Sequence, residues 1–121
     1  MQDQVVAEAR AQLKAADTAQ SLMSKGHGRD SVEGPLWEAF RRWQRLPVSD
    51  LMKAPMSGCA ELANNTLGIA QEARQGRGDG PLAAKRRQFI QEDRALCLEA
   101  LKNPRAAFIS ATEMYPHVVV E

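Results

Sequence analysis

The side chains that ligate metals or attack carbonyls most readily are few in this sequence: Cys59, Cys97, His27 and His117. A zinc site wants paired ligands, as in CxxC or two His residues on one helical face, so that they converge locally. Here each ligand stands alone, and no metal site is expected. Nucleophilic catalysis wants a Ser or Cys beside a His that a third group holds in place. His27 lies between two glycines, His117 lies near the C-terminal end, and no Gly-x-Ser-x-Gly elbow is present. Asp93 is the carboxylate with unusual prospects, because helical periodicity turns it toward an apolar sector shared with Arg86 and Arg94. Burial there would raise its pKa and suit it to acid–base work. An edge position beside an arginine is the commoner outcome, so no catalytic residue and no cofactor is expected.

The run Gly76-Arg77-Gly78-Asp79-Gly80 precedes a helix and is followed by Lys85, Arg86 and Arg87. Helix N-termini bind phosphate through free N–H groups. Pro81 deletes one such donor, Asp79 would repel an anion, and the Gly-Lys-Ser/Thr ending of a phosphate loop is missing. The segment reads as a helix–helix connection. Its Arg77-Gly78-Asp79 tripeptide and the Asn64-Asn65-Thr66 glycosylation pattern are short enough to arise by chance, and the second falls inside a helical stretch.

Charge excludes a global pull toward polyanions. Sixteen basic and fifteen acidic residues leave a formal charge of +1. Two local clusters remain, Arg41, Arg42 and Arg45 in one segment and Lys85, Arg86 and Arg87 in another. If they meet on one surface they could engage phosphates, which makes a nucleic-acid-binding regulator the alternative reading. The stretch Glu61–Ile69 carries Leu-Ala and Leu-Gly-Ile pieces like those around a helix-turn-helix turn. Ala63 and Gly68 are spaced one residue too far, and one continuous helix fits the unbroken apolar stripe better.

The elements that position these residues read as helices throughout. A first helix over about 3–24 follows from Val6, Ala9, Leu13, Ala16, Gln20 and Met23 at steps of three and four. The loop Gly26-His27-Gly28 reaches to about Gly34, and Pro35 opens a second helix over about 35–46. Leu36, Trp37, Phe40, Trp43 and Leu46 form its apolar side; Glu38, Arg41, Arg42 and Arg45 form the other. Ser49 caps a short turn that Pro55 stops. A third helix over about 57–75, with Ser57 as its cap, carries Cys59, Leu62, Thr66 and Ile69 on its stripe. Asn64, Asn65, Gly68 and Glu72 fall on its polar side. A fourth over about 81–103 uses Leu82, Phe89, Ile90, Cys97 and Leu101, with Arg86, Asp93 and Arg94 intruding. Asn103-Pro104 starts a short fifth over about 104–114, and 116–121 reads as an extended tail with Val118-Val119-Val120.

The fold class expected is all-α: one domain over 1–121, four main helices in a compact arrangement, a short fifth and the tail. No apolar run reaches the roughly 18 residues of a membrane span, and the N-terminus as given lacks the cationic start and apolar core of a secretory leader. Two unpaired cysteines on apolar faces read as reduced thiols in a cytoplasmic protein. Eleven Arg against five Lys and nineteen Ala match the GC-rich codon usage of many bacteria and their mobile elements.

The functional expectation is a small, non-enzymatic interaction module. Trp37 and Trp43 flank Phe40 by about 60° on either side of the helix axis, so one tryptophan can enter the core while the other stands at a rim. Trp and Arg are favoured interface anchors. Trp37, Arg41, Arg42, Trp43 and Arg45 are therefore the expected protein-binding residues, toward a partner with an acidic surface. A homodimer is a further prospect, because alanine-rich helices in a chain this short supply little core of their own.

Overall fold

A computed structural model describes the backbone of residues 2–114 and the side-chain environment of residues 2–110. The fold is all-α. Its elements are α1 (Gln2–Ser24), α2 (Arg29–Arg45), α3 (Asp50–Lys53) with a 3-10 turn (Ala54–Met56), α4 (Ser57–Arg74), α5 (Pro81–Lys102) and α6 (Pro104–Met114). The tail expected over 116–121, with His117, lies outside the described residues.

Glycine ends two of the helices. Gly26 and Gly76 follow α1 and α4 with φ of 80° and 75°, the left-handed conformation that costs least without a Cβ. Ser49 accepts a hydrogen bond from the Met52 amide at 3.3 Å and so caps α3; Asn103 Oδ1 does the same for the Ala106 amide at 3.2 Å in α6. Ser57 is not a cap. It is the first residue of α4, and its hydroxyl donates back to the Ala54 carbonyl at 2.9 Å.

α2 starts at Arg29, six residues before the expected Pro35. The extra turn and a half is held by tertiary contacts that outweigh the proline. Val32 is buried among Ala16, Ala19, Ala63 and Leu67, and the nearly buried Glu33 carboxylate accepts from Arg74 of α4 at 2.8 Å. A charge-assisted bond to a buried carboxylate is worth more than a surface pair.

α1 and α4 form the middle of the bundle, with α2 packed against both and α5 packed mainly along α4. Two apolar clusters fill the interior. One gathers Val5, Ala9, Trp43, Met56, Cys59, Cys97, Leu101 and Phe108; the other gathers Ala16, Ala19, Val32, Leu36, Leu62, Ala63, Leu67 and Ala70. Alanines at the seams let backbones approach closely, so little area is buried per turn but the helices lock at short range.

The cysteines correct the reduced-thiol expectation. Cys59 and Cys97 form a disulfide between α4 and α5, with Cα atoms 4.6 Å apart and both residues fully buried. Gly58 prepares this approach. A Cβ there would lie 3.1 Å from Leu96 Cβ and 3.2 Å from both the Asp93 carbonyl oxygen and the Cys97 amide nitrogen. The missing side chain lets α4 settle onto the α5 backbone beside the bridge.

The amphipathic faces of α1 and α5 are rotated from their expected positions, and that of α4 is broader than expected. In α1 the buried residues are Val5, Ala9, Gln12, Ala16 and Ala19, with Val6, Leu13, Gln20 and Met23 at the margin. In α5 the buried residues are Ala83, Cys97 and Leu101, while Leu82 and Phe89 face outward. In α4 three residues expected on the polar side, Asn65, Gly68 and Glu72, are buried.

Candidate functional site

The outward side of α2 presents an aromatic pair. Trp37 is 39% exposed and Phe40 is 38% exposed, with ring centroids 6.0 Å apart and planes at 87°, the edge-to-face arrangement that ring quadrupoles favour. Their exposure follows from where α2 docks. Val32, Leu36, Ala39 and Trp43 make the buried edge, and Ala39 lets α1 come close enough for Gln12 Nε2 to donate to the Ala39 carbonyl at 2.7 Å. Trp43 therefore belongs to the core. Phe40, assigned by sequence to the apolar side, stands beside Trp37 at the surface. Next to it runs a narrow cleft of about 100 Å³ between α2 and α4, lined by Leu36, Phe40, Gln44, Ala60 and Asn64 among others.

Arginines rim this pair unevenly. Glu38 sits between Arg41 and Arg45 and bridges both, at 3.4 Å to Arg41 Nη1 and 3.2 Å to Arg45 Nη2. All three side chains are well exposed, so these bridges contribute little to stability; they hold the two guanidinium groups beside the aromatic pair. Arg42 points elsewhere and binds Glu8 of α1 at 3.0 Å.

The second basic cluster does not join the first. α2 and α5 are not packed as neighbours in the bundle, and the three α5 cations have separate tasks. Lys85 Nζ lies 5.9 Å from the Phe89 ring centroid. Arg87 donates to the Gly78 carbonyl and so ties down the loop before α5. Arg86 turns inward across α4, where a Cβ on Gly68 would meet its guanidinium at 2.5 Å.

Arg86 begins a polar chain between α4 and α5. Its Nη1 donates to Asn65 Oδ1 at 3.1 Å, and Asn65 Nδ2 donates to Asp93 Oδ2 at 2.9 Å. Arg86 Nε is buried without a hydrogen-bond partner among the described residues. Arg94 instead pairs with Asp17 of α1 at 2.5 Å. The amide of Asn65 thus stands between the guanidinium and the carboxylate that sequence placed side by side. Burial pushes the Asp93 carboxyl above its ordinary value of 3.8; the Asn65 hydrogen bond pulls it back, and Glu92 adds to the rise. Folded protein then holds the Asp93 proton more tightly than unfolded protein. Its ionisation costs stability as pH rises from 3.8 through the raised folded value, and the cost is absent below both. Replacing Asp93 with Asn should flatten that part of the stability–pH curve relative to wild type. Urea midpoints measured across mildly acidic pH check this; parallel curves for the two proteins would contradict it.

Among the described residues no group of three or more His, Cys, Asp or Glu side chains converges to hold a metal ion. Cys59 and Cys97 bind each other, and His27 is exposed in the loop before α2. No described helix is long and apolar enough to cross a membrane. The sequence matches no family model, no curated protein and no solved structure.

Proposed function

We propose that this protein acts without catalysis, as a small interaction module that docks another protein on the outward side of α2. The observation that carries this reading is the exposed edge-to-face pair of Trp37 and Phe40. Aromatic side chains paired at a surface with arginine at their edge are the usual anchors of protein interfaces. Trp37 and Phe40 supply the apolar centre. Arg41 and Arg45, held by Glu38, supply a cationic rim that suits an acidic partner and steers its approach. Arg42 and Trp43 support this surface from behind, through Glu8 and the core.

A nucleic-acid reading draws less support, since the cluster of Arg41, Arg42 and Arg45 and that of Lys85, Arg86 and Arg87 sit on different helices and most of these cations are engaged within the chain. It would require binding that weakens steeply with salt. A cytoplasmic setting, expected from reduced thiols, loses that basis once Cys59 and Cys97 are paired; oxidising compartments preserve such bridges.

A photo-crosslinking residue at position 37 should capture a discrete partner in the cells that make the protein, and the same residue at exposed Asp79 should not. Adding Arg41→Glu and Arg45→Glu should abolish the capture while the helical circular dichroism is retained. Capture that survives the double substitution would sink the assignment of this surface.

A further inference from the structure

One flank of α5, beside its seam with α4, carries a second apolar stripe that stays largely exposed, with Leu96 at its end against Gly58 of α4. Leu82 is 50% exposed, Phe89 39% and Leu96 64%. They recur every seven residues, so they share one line along the helix, about 21 Å from Leu82 to Leu96 at the usual rise. The line lies to one side of the seam of Ala83, Cys97 and Leu101 that packs on α4. A repeat of seven keeps the three residues along one line, against which a second helix can lie.

The charges beside the stripe say which helix. Lys85 precedes Phe89 by one turn and Glu92 follows it by one turn, both exposed and both on the same edge of the line, with Glu99 continuing the acidic half. The apolar residues are thus symmetric about Phe89, while the charges change sign across it. A two-fold interface requires a patch that complements itself, and this combination does so in one orientation. Two α5 helices run antiparallel about Phe89, Phe89 meets its own copy, and Leu82 meets Leu96 of the second copy. Lys85 then faces Glu92 of the second copy, and by symmetry the pair occurs twice. A parallel two-fold would carry the second copy's Lys85 and Glu92 to the opposite edge of the line, where neither meets its opposite charge. Lys85 already lies over the Phe89 ring, so its ammonium is placed at the centre of the proposed contact.

We propose that the protein self-associates as an antiparallel two-fold dimer through the Leu82–Phe89–Leu96 stripe of α5. This leaves α2 uncovered, so the dimer would display two copies of the Trp37–Phe40 surface. Sedimentation equilibrium of the oxidised full chain over a wide concentration range tests the proposal. Wild type should reach twice the chain mass of 13.3 kDa. Phe89→Glu should remain at the single-chain mass with an unchanged helical spectrum. Lys85→Glu and Glu92→Lys should each weaken the dimer on the order of tenfold, because like charges then face each other twice. The double variant carrying both should return to wild-type association, since every contact is restored with its polarity exchanged. Three results would each overturn the proposal: a wild type that stays single-chain at all concentrations, a dimer that survives Phe89→Glu, or a double swap no better than the single changes.

Discussion

Reducing the Cys59–Cys97 bridge is expected to remove about 3–4 kcal/mol of folding stability, the chain-entropy value for a closed loop of this size. The bridge spans 38 residues and includes most of α4, the glycine-rich connection and most of α5. Without it, the unfolded chain regains the freedom of that whole loop, and the folded chain loses a covalent tie inside one of its two apolar clusters. Beyond the bridge, α5 is tied to α4 by the Asn65–Asp93 and Arg86–Asn65 hydrogen bonds and by side-chain packing along the seam, Ile90 included. For a chain of this length the loss corresponds to a fall in the thermal midpoint of roughly 10–15 °C. Calorimetry with and without a phosphine reductant, repeated on the Cys59→Ala/Cys97→Ala double variant, measures it. A midpoint indifferent to reductant would mean that the bridge does not hold α4 to α5.

Gly58→Val is expected to cost about 2–3 kcal/mol, the range for forcing extra methyl groups into a tight contact. Two of the three atoms that a Cβ at this position would press on belong to the α5 backbone, the Asp93 carbonyl oxygen and the Cys97 amide nitrogen. Backbone cannot step aside as a long side chain does, so α5 must translate, and the neighbouring bridge at Cys59 resists that motion. Gly58→Ala should cost less than about 1 kcal/mol, because alanine's better helix propensity offsets part of the strain. Urea unfolding of the two variants separates these cases. Equal stability for Val and Ala would show that the helices do not meet so closely at this point.

Much of the fold can be read from residue spacing. The ends of α4 and α5, the short turn after Ser49, the Asn103 cap and the glycine stops after α1 and α4 follow from local chemistry and stand within a residue or two of their expected places. The faces are harder to read, for one physical reason. A pattern judged by large apolar side chains drifts toward Phe40, Leu82 and Phe89, whereas Ala39, Ala83, Ala16 and Ala19 are among the most fully buried positions. Small residues mark where backbones meet, and the large residues beside them are left outside. That displacement is what exposes Trp37 with Phe40 on α2 and the leucine–phenylalanine stripe on α5. Asn65 and Gly68 have no sequence signal of their own; they are buried because Arg86 lies across them. The cysteine pairing depends on a distance between helices that spacing along the chain does not encode.

Of the sequence-named contact residues, Trp37, Arg41 and Arg45 stand together at the surface, and Phe40 joins them. Trp43 packs in the core and Arg42 turns to Glu8. The division follows from the width of the aromatic arc, which is too broad for α1 and α4 to cover, so it splits at Phe40. Binding energy at such surfaces concentrates in a few buried aromatic anchors.

The most direct test is therefore the affinity of Trp37→Ala/Phe40→Ala for the partner captured at position 37, read beside its thermal stability. We expect binding to weaken by roughly 100-fold or more, as the loss of two anchors implies. Folding stability should fall by about 1–3 kcal/mol with the helical spectrum retained, because both rings are partly covered but stand outside the two apolar clusters. Unchanged affinity in the double variant, with the fold intact, would contradict the assignment of α2 as the docking surface.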